Sequence, residues 1–234
     1  RDVERSRGLG DVYKRQAENH PDVRLIKNAS NEGYASGCNG GAQVAKGELL
    51  VFLNNDTIHE DGWIEPLVET LQSDRDVAAV QPKILNYFER DLFDYAGGSG
   101  GAMDLLCFPF VRGRLFLTQE KDIGQYDDET DIFWASGTAF MVRRSDFEAA
   151  GRFDESFFAH QEEIDLQWRF HLMRYHSRIN PKSVVYHKNA VTLPTQSLKK
   201  HYLNHRNSML MLLSLSLIHI SEPTRPLYIS YAVF

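Results

Sequence analysis

The feature that most constrains this chain is the run Glu48-Leu49-Leu50-Val51-Phe52-Leu53, which stops at once in Asn54-Asn55-Asp56-Thr57. A nearly continuous apolar run suits a strand buried on both faces of a parallel sheet. Its abrupt end would place polar groups at a strand's carboxyl end, where open α/β sheets bind ligands. Upstream, Val23 to Lys27 reads as a short strand and Asn28 to Gly33 as a loop of turn-formers. A helix fits Tyr34 to Ala45, closed at Lys46-Gly47 by a glycine suited to a left-handed cap. Strand, helix and strand in that order make the crossover unit of an α/β fold.

Downstream the pattern predicts a helix over Gly62 to Gln72 and a strand near Val77 to Gln81. It then predicts a strand over Ile132 to Val142 with a tight glycine, a loop over Phe153 to Phe158 and a helix over Glu162 to Arg174. A strand over Ser183 to His187 and a helix over Leu198 to Leu213 complete the order, with no internal repeat and no second domain. From Leu85 to Asp131 the periodicity weakens. There Gly97-Gly98-Ser99-Gly100-Gly101 reads as a flexible joint in a long excursion near the active site, or in a pair of edge strands.

Composition excludes several classes. With 234 residues, 42% hydrophobic and 12% aromatic, the chain has the material of one α/β-sized domain and is not intrinsically disordered. Its two cysteines, Cys38 and Cys107, cannot make a disulfide scaffold and suit a reducing compartment. A net charge of −6 argues against nucleic acid as the main partner. No apolar run reaches the roughly 18 residues that span a bilayer.

The two ends are related to each other through DNA. Asp11-Val12-Tyr13-Lys14-Arg15-Gln16 can be written in codons whose reverse complement reads Leu-Ser-Leu-Ile-His-Ile, the residues from Leu215 to Ile220. The pairing continues outward, Gly10 with Ser221, Leu9 with Glu222 and on to Arg1 with Ser230. This inverted repeat resembles translated transposon adapter from a sequencing library. The expectation is therefore a natural stretch from Ala17 to Ser214, flanked by artefact over residues 1–16 and 215–234.

Four groups could carry chemistry. Asp56, after the buried strand, could hold a divalent cation together with substrate phosphates, or could simply cap a turn. Glu162, Glu163 and Asp165 crowd the start of a helix, where the dipole favours carboxylates and where one facing a cleft can act as a general base; acids are also common there for structural reasons. His187 closes a strand and could join a metal site or remain a partly exposed strand-end histidine. Arg206 could neutralise phosphate, or belong to a solvated helix face.

The order and spacing of these groups resemble the family 2 glycosyltransferases, inverting enzymes that use nucleotide-sugars. The matching stretches are Asn31 to Gly40, Phe52 to Thr57, Ser136-Gly137, Phe153 through Arg169, Val184 to His187 and Arg206-Asn207, and they cover essentially the whole inner stretch. Within the family the likeness is greatest to the rhamnosyltransferase-like branch of bacterial surface-polysaccharide synthesis. The resemblance implies an α/β nucleotide-diphospho-sugar transferase fold, GT-A-like, with a mixed sheet flanked by helices and its first strand missing. It implies Mg²⁺ or Mn²⁺ at Asp56 and His187, and a catalytic base at Glu163 or its neighbour Glu162. It further implies nucleotide-sugar contacts from Asn31, Gly33, Asn39, Asn54, Asp56, Trp134, Gly137, Asp165 and Arg206, with Trp134, Ser136 and Gly137 on the acceptor or sugar side.

Departures from the family pattern are Asn54 in place of the first acid of its Asp-x-Asp motif and Glu163 in place of the usual Asp. Lys188-Asn189-Ala190 stand where glycines usually follow the histidine, and Arg174-Tyr175 lacks the usual glycine. The partners implied are a nucleotide-diphosphate sugar and a glycan or lipid-linked acceptor, with peripheral association at the cytoplasmic face of the membrane. A stretch lacking the first strand is expected to expose a sheet edge and to be inactive by itself. The rival expectations are an inactive sugar-nucleotide-binding or scaffold protein, and a nucleotidyltransferase, whose Gly-rich phosphate loop is not visible.

Overall fold

The computed structural model describes residues 23–104, 107–188 and 198–216. Most of the terminal flanks lie outside these residues. The chain divides into a short unit, Arg1–Glu32, and a compact unit, Gly33–Phe234. In the short unit the described residues form bends and irregular backbone, with Val23, Leu25 and Ile26 all exposed. The expected strand over Val23 to Lys27 is therefore absent. Five residues gain little as a strand without a partner to satisfy their backbone groups.

The compact unit opens with helix α1 (Gly33–Val44), then strands β1 (Leu49–Leu53) and β2 (Thr57–His59), helix α2 (Glu65–Ser73) and strand β3 (Val77–Asn86). A long excursion carries four short strands, β4 (Gly101–Met103), β5 (Pro109–Val111), β6 (Arg114–Leu115) and β7 (Thr118–Gln119), and ends in β8 (Thr130–Ile132). Strand β9 (Ala139–Arg143), helix α3 (Arg144–Ala149), a 3₁₀ turn (Glu155–Phe157), helix α4 (Glu162–Leu172), strand β10 (His176–His187) and helix α5 (Leu198–Met211) follow.

The main sheet has the order β1-β9-β3-β10-β2, with β8 also paired to β10. β10 runs parallel to β3, while β9 is antiparallel to both β3 and β1. The carboxyl ends of β1, β3 and β10 therefore share one edge with the amino end of β9. On one face Phe52, Phe140, Phe147, Phe153, Leu166 and Phe170 pack with Ala35 and Ala42 of α1. On the other, Trp63, Leu67 and Leu71 cover Val80, Ile84, Met141 and Val185. The sheet is thus sandwiched between helical layers. Arg143, buried at its lower edge, donates to the carbonyls of Leu71, Asp74 and Val77 and pairs with Asp146. One guanidinium thereby satisfies the turn between α2 and β3.

Three expectations need correction. β1 is not buried on both faces: it is bonded only to β9, antiparallel, among the described strands, and Val51 and Leu53 are 37% and 39% exposed. The expected strand over Ile132 to Val142 is broken into β8 and β9, because Phe133 and Trp134 bond to the Gly101 backbone while Ala135 and Ser136 are held by the Gln167 and Gln81 side chains. The glycine run is no flexible joint. A Cβ on Gly97 would fall 2.5 Å from Ile84 Cδ1, and one on Gly101 would fall 2.0 Å from the Trp134 indole. These glycines are present because backbone packs directly on side chains there. The excursion is pinned to the sheet by Lys83, which donates 2.7 Å to Asp122 and also pairs with Asp127.

Candidate active site

The shared carboxyl edge gathers two clusters. The first is at the ends of β1 and β10. His187 Nε2 lies 3.2 Å from Asp56 Oδ1, and its Nδ1 lies 3.1 Å from Asp94 Oδ1. The Lys188 N–H donates 2.9 Å to the Asp56 carbonyl, so the two strand ends are tied together. Burial works against a charge on His187, but the hydrogen bond it donates to Asp94 and the nearness of both carboxylates outweigh it and raise the pKa above the usual imidazole value. Asp94 is fully buried, and its Oδ2 accepts 2.8 Å from the Ala96 N–H. With Nδ1 directed to Asp94, Nε2 is left facing Asp56, the arrangement in which a carboxylate orients a metal-binding histidine.

This donor set fits a divalent cation that also takes phosphate oxygens. A carboxylate oxygen and an imidazole nitrogen meet at one point, with an oriented ring behind them. No group of three or more His, Cys, Asp or Glu side chains suited to hold a metal by themselves occurs among the described residues. The ligand set would have to be completed by substrate.

The second cluster is at the start of α4. Glu163 accepts from the Gly137 backbone N–H and from N–H groups of its own first turn. Glu163 Cδ lies 3.5 Å from where a Cβ on Gly137 would stand, an ordinary van der Waals contact that places the glycine directly against the carboxyl group. The Tyr34 hydroxyl donates 2.8 Å to the Gly137 carbonyl. Burial, followed by the charges of Cys38 and the two glutamates, holds the Tyr34 pKa far above its usual value, so Tyr34 remains a donor.

The two acids differ. Glu162 is 4% exposed, and burial, then Glu163, then Asp165, raise its pKa well above the carboxylate range. Glu163 is also raised by burial, but the surrounding N–H groups oppose the shift. Burial thus disfavours the charged form of both acids, and the N–H groups around Glu163 favour its carboxylate. Oε2 of Glu163, like Oε2 of Glu162, is buried with no hydrogen-bond partner among the described residues.

Two glutamines that no sequence signal singles out hold the Gly137 side of this edge. Buried Gln167 grips Ala135, with Nε2 2.7 Å from its carbonyl, and buried Gln81 accepts 2.8 Å from the Ser136 N–H. Asn54 N–H donates 2.9 Å to the Thr138 carbonyl, which joins the Asp56 side of the edge to the Gly137 side. The loop before α4 is strained, with Phe158, His160 and Gln161 all at left-handed φ values of 62°, 72° and 71°. Asn207 of α5 restrains it, Nδ2 reaching the carbonyls of Phe157, Ala159 and His160 at 2.9, 2.8 and 2.7 Å.

The glycosyl transferase family 2 sequence profile matches residues 5–151, which takes in residues 5–16 of the flank and ends before Glu162. The chain belongs to glycosyl transferase family 2. It is 35% identical over 153 residues to polypeptide N-acetylgalactosaminyltransferase 12 of Mus musculus, covering 53% of this chain and 26% of that protein. It is 25% identical to N-acetylglucosaminyl-diphospho-decaprenol L-rhamnosyltransferase of Mycobacterium tuberculosis, covering 74% of this chain and 61% of the relative. The crystal structure of GalNAc-T7 with UDP, GalNAc and Mn²⁺ superposes with a TM-score of 0.65 at 18% identity, covering 87% of this chain and 39% of that one. The fold is thus a mixed α/β, GT-A-like nucleotide-sugar transferase fold. The chain spans about a quarter of the mouse relative and under two thirds of the mycobacterial one.

Within this family 2 domain, the structure brings Asp56 and His187 together, and Glu162, Glu163 and Gly137 together. Asn54 lies at the shared edge, its carbonyl accepting 2.7 Å from the Thr57 hydroxyl. Other expected contacts are placed differently. Trp134 is 5% exposed, with its indole N–H 3.0 Å from the Ala102 carbonyl and its ring under Gly101, so it has no free face for a sugar. Asn39 is a buried bracket, giving and receiving hydrogen bonds with Phe153 and donating 2.9 Å to Glu155. Asp165 is paired 2.6 Å with Arg169, and Arg206 donates to the Ser156 carbonyl. These three polar groups are already used in fixing the loop and helix that carry the glutamates. Gly33, with φ of 92°, lets α1 start against the Phe158 carbonyl, which a Cβ would overlap at 2.1 Å. Asn31 is exposed and falls in the short unit.

Proposed function

We propose that this domain is the catalytic part of an inverting glycosyltransferase that moves a sugar from a nucleoside-diphosphate donor to a glycan or lipid-linked acceptor in bacterial surface-polysaccharide synthesis. The observation that carries this reading is geometric: the acidic pair opening α4, with Glu163 against Gly137, meets the same sheet edge as Asp56 and His187. Glu163 is the base. Its free Oε2 takes the proton from an acceptor hydroxyl, which attacks the anomeric carbon from the side opposite the leaving diphosphate and inverts its configuration. The Gly137 N–H and the helix dipole stabilise the ionised Glu163 carboxylate before the reaction. Tyr34, Gln81 and Gln167 fix the Gly137 loop, and so fix the backbone against which Glu163 sits.

A Mg²⁺ or Mn²⁺ held by Asp56 and His187 would supply positive charge to the leaving diphosphate. That role is supported by the oriented His187 ring here and by the Mn²⁺ in the crystal structure of GalNAc-T7. The rhamnosyl and decaprenol specificity named for the mycobacterial relative favours a lipid-linked acceptor. Such an acceptor would place the enzyme at the cytoplasmic face of the membrane. The test is nucleoside diphosphate release by the protein expressed from its complete gene, across a panel of nucleotide-sugars with and without Mn²⁺ and with lipid-linked acceptors. One donor consumed only with metal and acceptor supports the reading. Tight donor binding without turnover of any sugar would favour the scaffold alternative.

A further inference from the structure

The excursion that brings Asp94 to His187 also carries an apolar point that the catalytic reading does not use. Strands β6 and β7 pair Arg114 with Gln119 and Leu115 with Thr118, so Phe116 and Leu117 form a two-residue hairpin turn. Leu115, Phe116 and Leu117 are 67%, 87% and 81% exposed. Phe108, just before β5, is also largely exposed. Phe116 has φ of 52°, a conformation that two-residue hairpins normally give to Gly, Asn or Asp. Here a bulky aromatic takes the strained position and is projected outward, a local cost of the kind found where function requires it.

The ribbon is firmly held at its base. Gln119 Nε2 donates 2.6 Å to the Phe93 carbonyl, the Phe93 N–H donates 3.0 Å to the Glu120 carbonyl, and Gly113 packs edge-on against the Phe93 ring. Phe93 immediately precedes Asp94. At the same base Arg114 lies over the Tyr95 ring at 4.2 Å, and Arg112 lies over Tyr126 at 4.7 Å. Neither arginine forms an ion pair among the described residues, although Arg114 Nη1 donates 2.6 Å to the Tyr95 carbonyl and half-buried Arg112 lies near Asp128; Asp91, Asp122 and Asp127 are paired with Lys121 and Lys83.

We propose that Leu115-Phe116-Leu117 is a membrane wedge that inserts into the headgroup and upper acyl region of a bilayer containing anionic lipid. A convex tip apolar on every side has no complement on a rigid surface, but a bilayer deforms around it and buries all three side chains at once. Tyrosine and arginine beneath such a tip are the residue types that settle at the membrane interface, and the Arg114 guanidinium, which gives Nη1 to the Tyr95 carbonyl, keeps its other donors for lipid phosphate. Anchoring at this point holds the Asp94 end of the active edge next to the leaflet.

The test is co-sedimentation of the 234-residue protein with vesicles of phosphatidylcholine and phosphatidylglycerol, beside a variant carrying Leu115→Ser, Phe116→Ser and Leu117→Ser. The proposal expects the wild-type protein to bind and the variant to partition at least about tenfold more weakly, with unchanged thermal unfolding because the three side chains touch little of the fold. A second variant, Phe116→Trp, should show a blue-shifted emission quenched by brominated lipid chains. Failure of the wild-type protein to bind vesicles overturns the proposal, as does equal binding by the triple variant. A change in oligomeric state with unchanged lipid binding would also overturn it, assigning the tip to a second copy of the chain.

Discussion

Replacement of Asn207 tests how the acidic pair is aimed. The Asn207 amide is fully buried, and its two N–H groups serve the three carbonyls of Phe157, Ala159 and His160. In Asn207→Ala those carbonyls lose their partner in a dry site. An unsatisfied buried polar group costs about 1–3 kcal/mol, so two lost donors amount to about 2–6 kcal/mol. For a protein of this size about 1 kcal/mol moves the melting temperature by roughly 2–4 °C, which gives a fall of about 4–24 °C. Asn207→Asp separates hydrogen bonding from packing: it keeps the shape but turns a carboxylate oxygen towards the carbonyls, and should cost more than Asn207→Ala. Urea unfolding and thermal melts of the three proteins at neutral pH measure both differences. Asn207→Asp as stable as the native protein, or more stable than Asn207→Ala, would refute the reasoning. It would mean that the left-handed loop over Phe158, His160 and Gln161 is held by something other than these bonds.

Two further outcomes are expected. Glu162 has a folded pKa raised well above the usual value, so its contribution to stability is complete at low pH and is lost as pH rises through that folded value. Glu162→Gln should therefore gain stability relative to the native protein as pH rises from about 4 to about 8, and melting temperatures showing a constant or reversed gap would contradict this. Asp94→Ala should weaken Mn²⁺ binding in the presence of nucleoside diphosphate about 10–100-fold, as loss of an outer-shell partner of a metal-binding histidine generally does. Titration calorimetry would show it, and affinity within twofold of the native value would remove Asp94 from the positioning role.

The sequence made the chemistry-bearing ends of the elements legible and left their supports hidden. Asp56 after an apolar run, the acids opening α4 and His187 closing β10 are local signals, each set by a strand or helix terminus. Asp94 stands in a segment without periodicity, and only the path of the excursion brings it to His187. Gln81, Gln167 and Asn207 act on residues 55, 32 and 50 or fewer positions away, contacts that no pattern along the chain encodes. Trp134 shows the reverse error. An aromatic beside the Gly137 loop reads as a sugar platform, but the glycine run that looked flexible lies across it and takes that face. β1 read as doubly buried because all its residues are apolar, yet its only partner among the described strands is β9, and its alternate side chains remain exposed.

The central claim is that Glu163 removes the acceptor proton. Its most direct test is Glu163→Gln in the protein expressed from the complete gene, with turnover and nucleotide-sugar binding measured side by side. The amide keeps the shape and can still accept from the Gly137 N–H, so donor affinity should stay within a few-fold while kcat falls at least about 100-fold, the scale of a lost general base. In the native enzyme kcat should fall as pH drops through a value above the ordinary carboxylate range, because burial raises the Glu163 pKa. Turnover by Glu163→Gln within about tenfold of the native rate would contradict the account and transfer the proton to another group.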